Sequence, residues 1–285
     1  MRFLMNSIVA KTKVKLNEIG IIFITILFLI FTFFPIYYIF LTSIKPANLL
    51  FETPPRFIFK PTFETYNVLF LQEKYHIYYL NSLIVSGIAT FLAIIFGSLG
   101  SFAFVRFKFS GSKILFFLVL LTRMYLPVTT SIPVFLAFKQ IGLLDTRTAL
   151  IIIYTATQLP LAIYILNSFF EAIPQEIKES AELDGCGPFN LYWRIVIPLA
   201  TSGILAASIL VFVFNWNEFL MALILTTVNA KTAPVALSAF SESEGMIHWA
   251  QLSALGFCMT IPTIFFMIFM NKYLIKGVLA GSIKG

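Results

Sequence analysis

Between Ile19 and Ile44 the chain carries no charged residue, and between Tyr75 and Val105 it again carries none. Each run exceeds the roughly 20 apolar residues a helix needs to cross the hydrocarbon core of a bilayer. Further charge-poor runs follow, separated by short charged or proline-containing segments. Of the 285 residues 59% are hydrophobic and 12% charged, with mean hydropathy +0.91. A water-soluble globular domain of this size would not tolerate that balance, so the reading is an all-α integral membrane protein.

Six spans are expected, over 19–44, 80–105, 114–138, 148–170, 198–225 and 250–271, following a basic arm at 1–18 and preceding a basic, glycine-punctuated tail at 272–285. Pro46, Pro54, Pro55 and Pro61 exclude a long helix between Lys45 and Lys74, leaving room for one short helix near Glu64 to Leu71. In the second span Ala89, Ala93, Gly97 and Ser101 recur every four residues, a stripe that lets another helix approach closely in lipid. The third span is interrupted by Pro127 and Pro133 and holds Arg123 near mid-bilayer, where a charge costs at least ~2.5 kcal/mol. Three readings of Arg123 stand side by side: a donor to carbonyls freed by Pro127, a side chain that snorkels to the interface, and a residue lining a watery translocation path. Asn217 and Glu218, late in the fifth span, either border that path or reach the headgroup level.

Six spans put both termini on one side. The segments on that side hold 12 lysines and arginines against 7 in the opposite loops, which places the termini and the 171–197 segment in the cytoplasm. The net charge of +7 is scattered over the ends of apolar runs and so reports topology rather than nucleic-acid binding. Cys186, Cys258, His76 and His248 have neither disulfide nor metal-ligand spacing and are read as structural. The first apolar run is too long for the core of a cleavable signal peptide.

The longest charged island is 171–197. Pro174 suits a helix start, Gln175, Glu176 and Glu179 favour its first turns, and Asp184-Gly185 ends it. Ile173, Ile177 and Ala181 repeat at four-residue spacing, so one face is expected to be apolar, with Glu176, Lys178, Glu179 and Glu182 around the rest. A second short helix restarts at Gly187-Pro188. Such a unit either lies on the membrane surface or projects as a docking plug.

No phosphate-binding loop, nucleophile elbow, zinc-protease motif or paired intramembrane carboxylates occur, so if this chain moves a solute uphill, the energy must enter through another subunit. Glu179 to Leu199, E-S-A-E-L-D-G-C-G-P-F-N-L-Y-W-R-I-V-I-P-L, resembles the EAA loop of binding-protein-dependent ABC importer permeases. I-G-L-L-D-T at Ile141 to Thr146, N-W-N-E-F-L at Asn215 to Leu220 and the terminal G-V-L-A-G-S-I-K-G are similar to the carbohydrate branch, the shorter maltose-type permease above all.

The resemblance implies a type I importer permease fold in a bacterial or archaeal-type cell membrane, with a cytoplasmic coupling helix between spans four and five. It implies a homologous permease partner, two ATPase subunits that hold ATP and magnesium, and an external solute-binding protein, with no cofactor or catalytic site in this chain. Glu179, Ser180, Ala181, Asp184, Gly185, Ile195 and Pro198 fall on the coupling loop, and Gly281 and Lys284 on a tail that reaches the ATPases. Ser180 and Cys186 replace the family's alanines. Ser202 stands where a proline is usual, which predicts a less kinked start to span five.

Overall fold

The computed structural model describes residues 2–107, 109–124, 127–242 and 248–282, with side chains over 20–107, 109–124, 127–239 and 248–269. Its helices are α1 Arg2–Ser43, α2 Glu64–Asn67, α3 Tyr75–Arg106, α4 Ser112–Leu121, α5 Pro127–Gln140, α6 Arg147–Glu171, α7 Gln175–Leu183, α8 Pro188–Leu191, α9 Ile197–Leu199, α10 Thr201–Trp216, α11 Leu220–Leu225, α12 Ala233–Glu242 and α13 Trp249–Ser282. A π-helical turn, Val68–Gln72, continues α2, and a second, Tyr192–Val196, joins α8 to α9.

Four segments are long and apolar enough to cross a membrane: Gly20–Ser43, Tyr75–Arg106, Arg147–Glu171 and Trp249–Phe269. A fifth crossing arises if Pro188–Leu199 and Thr201–Trp216 count together, although they are bent by 77°. That bend overturns the expectation of a straighter start to span five. Just past the bend the Phe169 ring of α6 lies directly against the α10 backbone at Gly203, with no room for a Cβ between them. The expected third span is two helices, α4 and α5, with Arg123 in the break between them. Pro127 starts α5, where its missing N–H has no intrahelical partner to lose, whereas Pro133 is accommodated inside it. The expected fifth span also ends early, at Trp216, and α11 follows as a separate helix. The 226–249 loop contains α12, and the helical backbone of α13 runs through the expected tail as far as Ser282.

The core is the α3–α6 pair, against which α10 packs. The small-residue stripe makes this possible: Ala89, Ala93, Gly97 and Ser101 are all buried. Ser101 donates its hydroxyl to the Ile163 carbonyl of α6 at 2.7 Å, a cross-helix bond with no water to compete for it. α1 packs along α13, and none of its apolar window is buried within the chain.

Candidate functional site

The charged island folds as a capped helix held against the ends of two long helices. Pro174 has extended backbone (φ −52°, ψ 137°), so α7 begins one residue later, at Gln175. Gly185 takes φ +82°, its N–H donating to the Glu182 carbonyl at 3.0 Å and the Cys186 N–H to that of Ala181 at 2.9 Å. These two bonds make a Schellman C-cap, which a glycine forms without steric strain. After Gly187, Pro188 opens α8.

The buried face of α7 differs from the expected Ile173, Ile177 and Ala181 set. Ile173 and Ala181 are buried, but Ile177 is 42% exposed and Lys178 is 7% exposed in its place. The reason lies at the end of α6, whose last carbonyls need donors: Lys178 Nζ donates to the Phe170 carbonyl at 3.1 Å. Burial pushes the pKa of this ammonium down, an effect partly opposed by the nearby Glu171 carboxylate. Ile173, Ala181, Leu191, Tyr192 and Val196 pack on Phe102 of α3 and on Leu166 and Phe170 of α6. The hydroxyls of Tyr192 and Ser98 lie 2.6 Å apart, and Arg106 pairs with Glu182 at 2.9 Å. Both members of the ion pair are about one-third exposed, so this contact contributes about 1 kcal/mol at most.

The opposite side is free. Glu179, Ser180, Asp184 and Gly185 are exposed, and beside them Leu183 is 90% and Phe189 72% exposed. Ile195, half-buried, lies in the π-helical turn, and Pro198, exposed, in α9. The loop is therefore clamped to α3 and α6 on one face and presents a small acidic and apolar tip on the other.

The three expected path residues are not gathered into one cluster. Arg123 Nη1 donates to Gln158 Oε1 of α6 at 2.8 Å, and the guanidinium lies 5.4 Å from the centroid of the Phe214 ring of α10. Asn217 caps the end of α10, its side-chain nitrogen donating to the Val213 carbonyl at 2.8 Å. Glu218 accepts the N–H groups of Met221 and Ala222 at 3.0 and 3.3 Å, stabilising the start of α11. Asn217 and Glu218 thus build the break between two helices rather than an ionic partner for Arg123. Gly281 lies on the backbone of α13, and Lys284 falls outside the described residues.

Residues 89–279, which contain the clamped loop together with Arg123, Asn217 and Glu218, match the family described as "Binding-protein-dependent transport system inner membrane component". The chain belongs to that family. Among relatives of this transport component, the trehalose transport system permease protein SugB of Mycobacterium tuberculosis is 33% identical over 255 residues, 88% of this chain and 92% of its own. The trehalose/maltose transport system permease protein MalG of Thermococcus litoralis is 30% identical over 273 residues, 95% and 98% of the two chains. The fold of the present chain is similar to that of a chain in the crystal structure of a bacterial ABC transporter involved in the import of the acidic polysaccharide alginate, with TM-score 0.75, 22% identity and 90% and 96% of the two chains covered.

One device of this permease was not read from the sequence as a site. Asp145, in left-handed backbone at φ 57°, accepts the N–H groups of Thr227, Val228, Asn229 and Ala230 at 3.0 to 3.2 Å, and its own N–H donates to the Leu225 carbonyl at 2.8 Å. Burial alone would raise its pKa, but the four backbone donors outweigh it and hold the carboxyl well below the usual range. Asn81 of α3 donates to the carbonyls of Asn229 and Lys231 and accepts from Arg147 Nε at 2.8 Å. The turn before α6, the start of α3 and the loop after α11 are thereby one unit. The only local signal was the I-G-L-L-D-T segment, quoted for its resemblance, because the partners of Asp145 lie more than 80 residues away.

Proposed function

We propose that this transport component is the shorter of two permease subunits in an ATP-driven carbohydrate importer. The family supports the permease role, and the sugar systems named for SugB and MalG support the substrate class. In this reading the chain crosses the membrane six times, the α4–α5 pair forming the third crossing and the bent α8–α10 unit with α11 the fifth. The termini and α7 face the cytoplasm, in keeping with the lysine and arginine bias. The tip formed by Glu179, Ser180, Asp184, Gly185 and Leu183 enters a cleft of an ATPase subunit, which supplies ATP and magnesium chemistry. Gly281 and Lys284 add contacts from the tail, and an external binding protein delivers the solute. Arg123, braced by Gln158 and Phe214, borders the path, while Asn217 and Glu218 shape its wall.

The observation that carries the proposal is the two-sidedness of the coupling loop: buried packing and hydrogen bonds fasten one face to α3 and α6, and the other is bare. A push on the tip is then delivered to the ends of the two central helices. The test is Gly185→Pro, which cannot adopt φ +82° and removes the N–H bonded to Glu182. In the assembled complex the variant chain should still insert, while the co-purifying ATPase and sugar uptake are lost. Unchanged ATPase recovery and uptake would overturn the coupling role.

A further inference from the structure

At the other end of the molecule, the chain leaving α1 and the start of α13 enclose a cleft of about 370 Å3, lined in part by Lys45, Thr62, Glu64, Thr65, His248 and Trp249. Lys45 is only 4% exposed. Its Nζ lies 5.4 Å from the centroid of the Phe59 ring, and no carboxylate or hydrogen-bond acceptor engages it among the described residues. A cation–π contact satisfies none of the three ammonium N–H donors, and Nζ is not among the fully buried side-chain nitrogens, so the stem is buried while the head is left to the cleft. The cleft therefore offers an ammonium donor that no acceptor among the described residues takes up.

The position of the cleft names the ligand. α1 and α13 run side by side through their apolar windows, which end at Ser43 and begin at Trp249 respectively. The cleft is thus at headgroup depth, where a half-exposed tryptophan is favoured. The connecting segment turns large apolar groups outward, with Phe51 74%, Ile58 94%, Phe63 64% and Leu71 75% exposed. At that depth such side chains rest in the boundary between headgroups and acyl chains. Glu64 lines the same cleft as Lys45, so the site carries both signs.

We infer that this cleft binds the headgroup of a phospholipid bearing a primary amine, its phosphate on Lys45 and its ammonium on Glu64. The inference goes beyond the transport role and does not rest on it. The same phosphate chemistry would be met by a free ion, and the test separates the two.

Full-length chain in detergent is mixed with phosphatidylethanolamine, phosphatidylcholine or inorganic phosphate, and retained ligand is read by native mass spectrometry alongside thermal unfolding. Phosphatidylethanolamine should be retained and raise the unfolding temperature, phosphatidylcholine less so, and phosphate not at all. Lys45→Met, which keeps an apolar stem, should lose the lipid. Lys45→Arg should keep it, and the exposed Glu64→Gln should erase the preference for the amine. Equal retention by Lys45→Met, an unaltered preference in Glu64→Gln, or an equal effect of inorganic phosphate would each overturn the inference.

Discussion

Replacing Gly97 by alanine probes the contact on which the α3–α6 core depends. The new Cβ would lie 2.7 Å from Cβ of Ala162, 3.3 Å from its carbonyl carbon and 3.4 Å from the nitrogen of Ile163. Carbon atoms attract best at about 3.5–4.0 Å, so the helices must part by roughly 1 Å at this level. Two of the three neighbours are backbone atoms, and the third is fixed directly to it, so no flexible side chain can swing aside. Separation also stretches the Ser101 to Ile163 hydrogen bond, now 2.7 Å. Overpacking of this kind costs about 1–3 kcal/mol, and a weakened interhelical bond in the membrane about 0.6 kcal/mol. The better helix propensity of alanine offsets up to ~1 kcal/mol, leaving a net loss of about 1–2 kcal/mol, a factor of roughly 5–30 in the folded-to-unfolded ratio. Equilibrium unfolding in mixed micelles reads this directly. The added Ala162→Gly change removes the closest clash and exchanges the two propensities, so the double variant should regain most of the loss. Unimpaired stability in Gly97→Ala, or a second loss simply added by Ala162→Gly, would refute the geometry.

Asp145→Asn retains the shape of the side chain but loses the charge that favours four backbone donors. It should cost roughly 1–2 kcal/mol, toward the lower end at this half-exposed position. Because the folded pKa is depressed, the contribution is present above the ordinary aspartate range and declines as pH falls below about 4. The stability gap between the native chain and Asp145→Asn should therefore narrow between pH 5 and pH 3; a constant or widening gap would contradict the assignment. On α7, Lys178→Ala should destabilise by about 2 kcal/mol, through lost stem packing and an orphaned helix-end carbonyl, whereas Ile177→Ala should cost about 1 kcal/mol or less, since its side chain is partly solvated already. Thermal unfolding of the two variants would show the wrong register if their order were reversed.

Much of the architecture was legible because lipid imposes a simple rule: charge-free runs cross, and charges stay out. That rule located α1, α3, α6 and α13, and the four-residue stripe correctly announced a close helix contact at Gly97. The capped helix α7 was legible too, because Asp184-Gly185 is a local signal. What escaped was decided at a distance. Lys178 looks like a solvated charge until the end of α6 is brought over it, and nothing near Ser202 reveals that Phe169 will meet Gly203. The break at Arg123 had a local cue in Pro127, but the brace of Gln158 and Phe214 comes from two other helices. Asn217 and Glu218 resemble path residues in a list of intramembrane polar groups, yet in space they satisfy helix ends.

The pairing of α1 with α13 sets the order in which this protein can be completed. The first span to enter the membrane finds its main neighbour within the chain in the last span to be made. Throughout synthesis of the intervening segments α1 is held near its end by the Ser43–Tyr66 hydroxyl contact and the Tyr38–Phe57 ring pair, and its long apolar surface makes the wait for a helical neighbour possible. A chain that stops before Trp249 leaves the length of α1 without its main helical neighbour, so α13 is also what lays that length against the bundle.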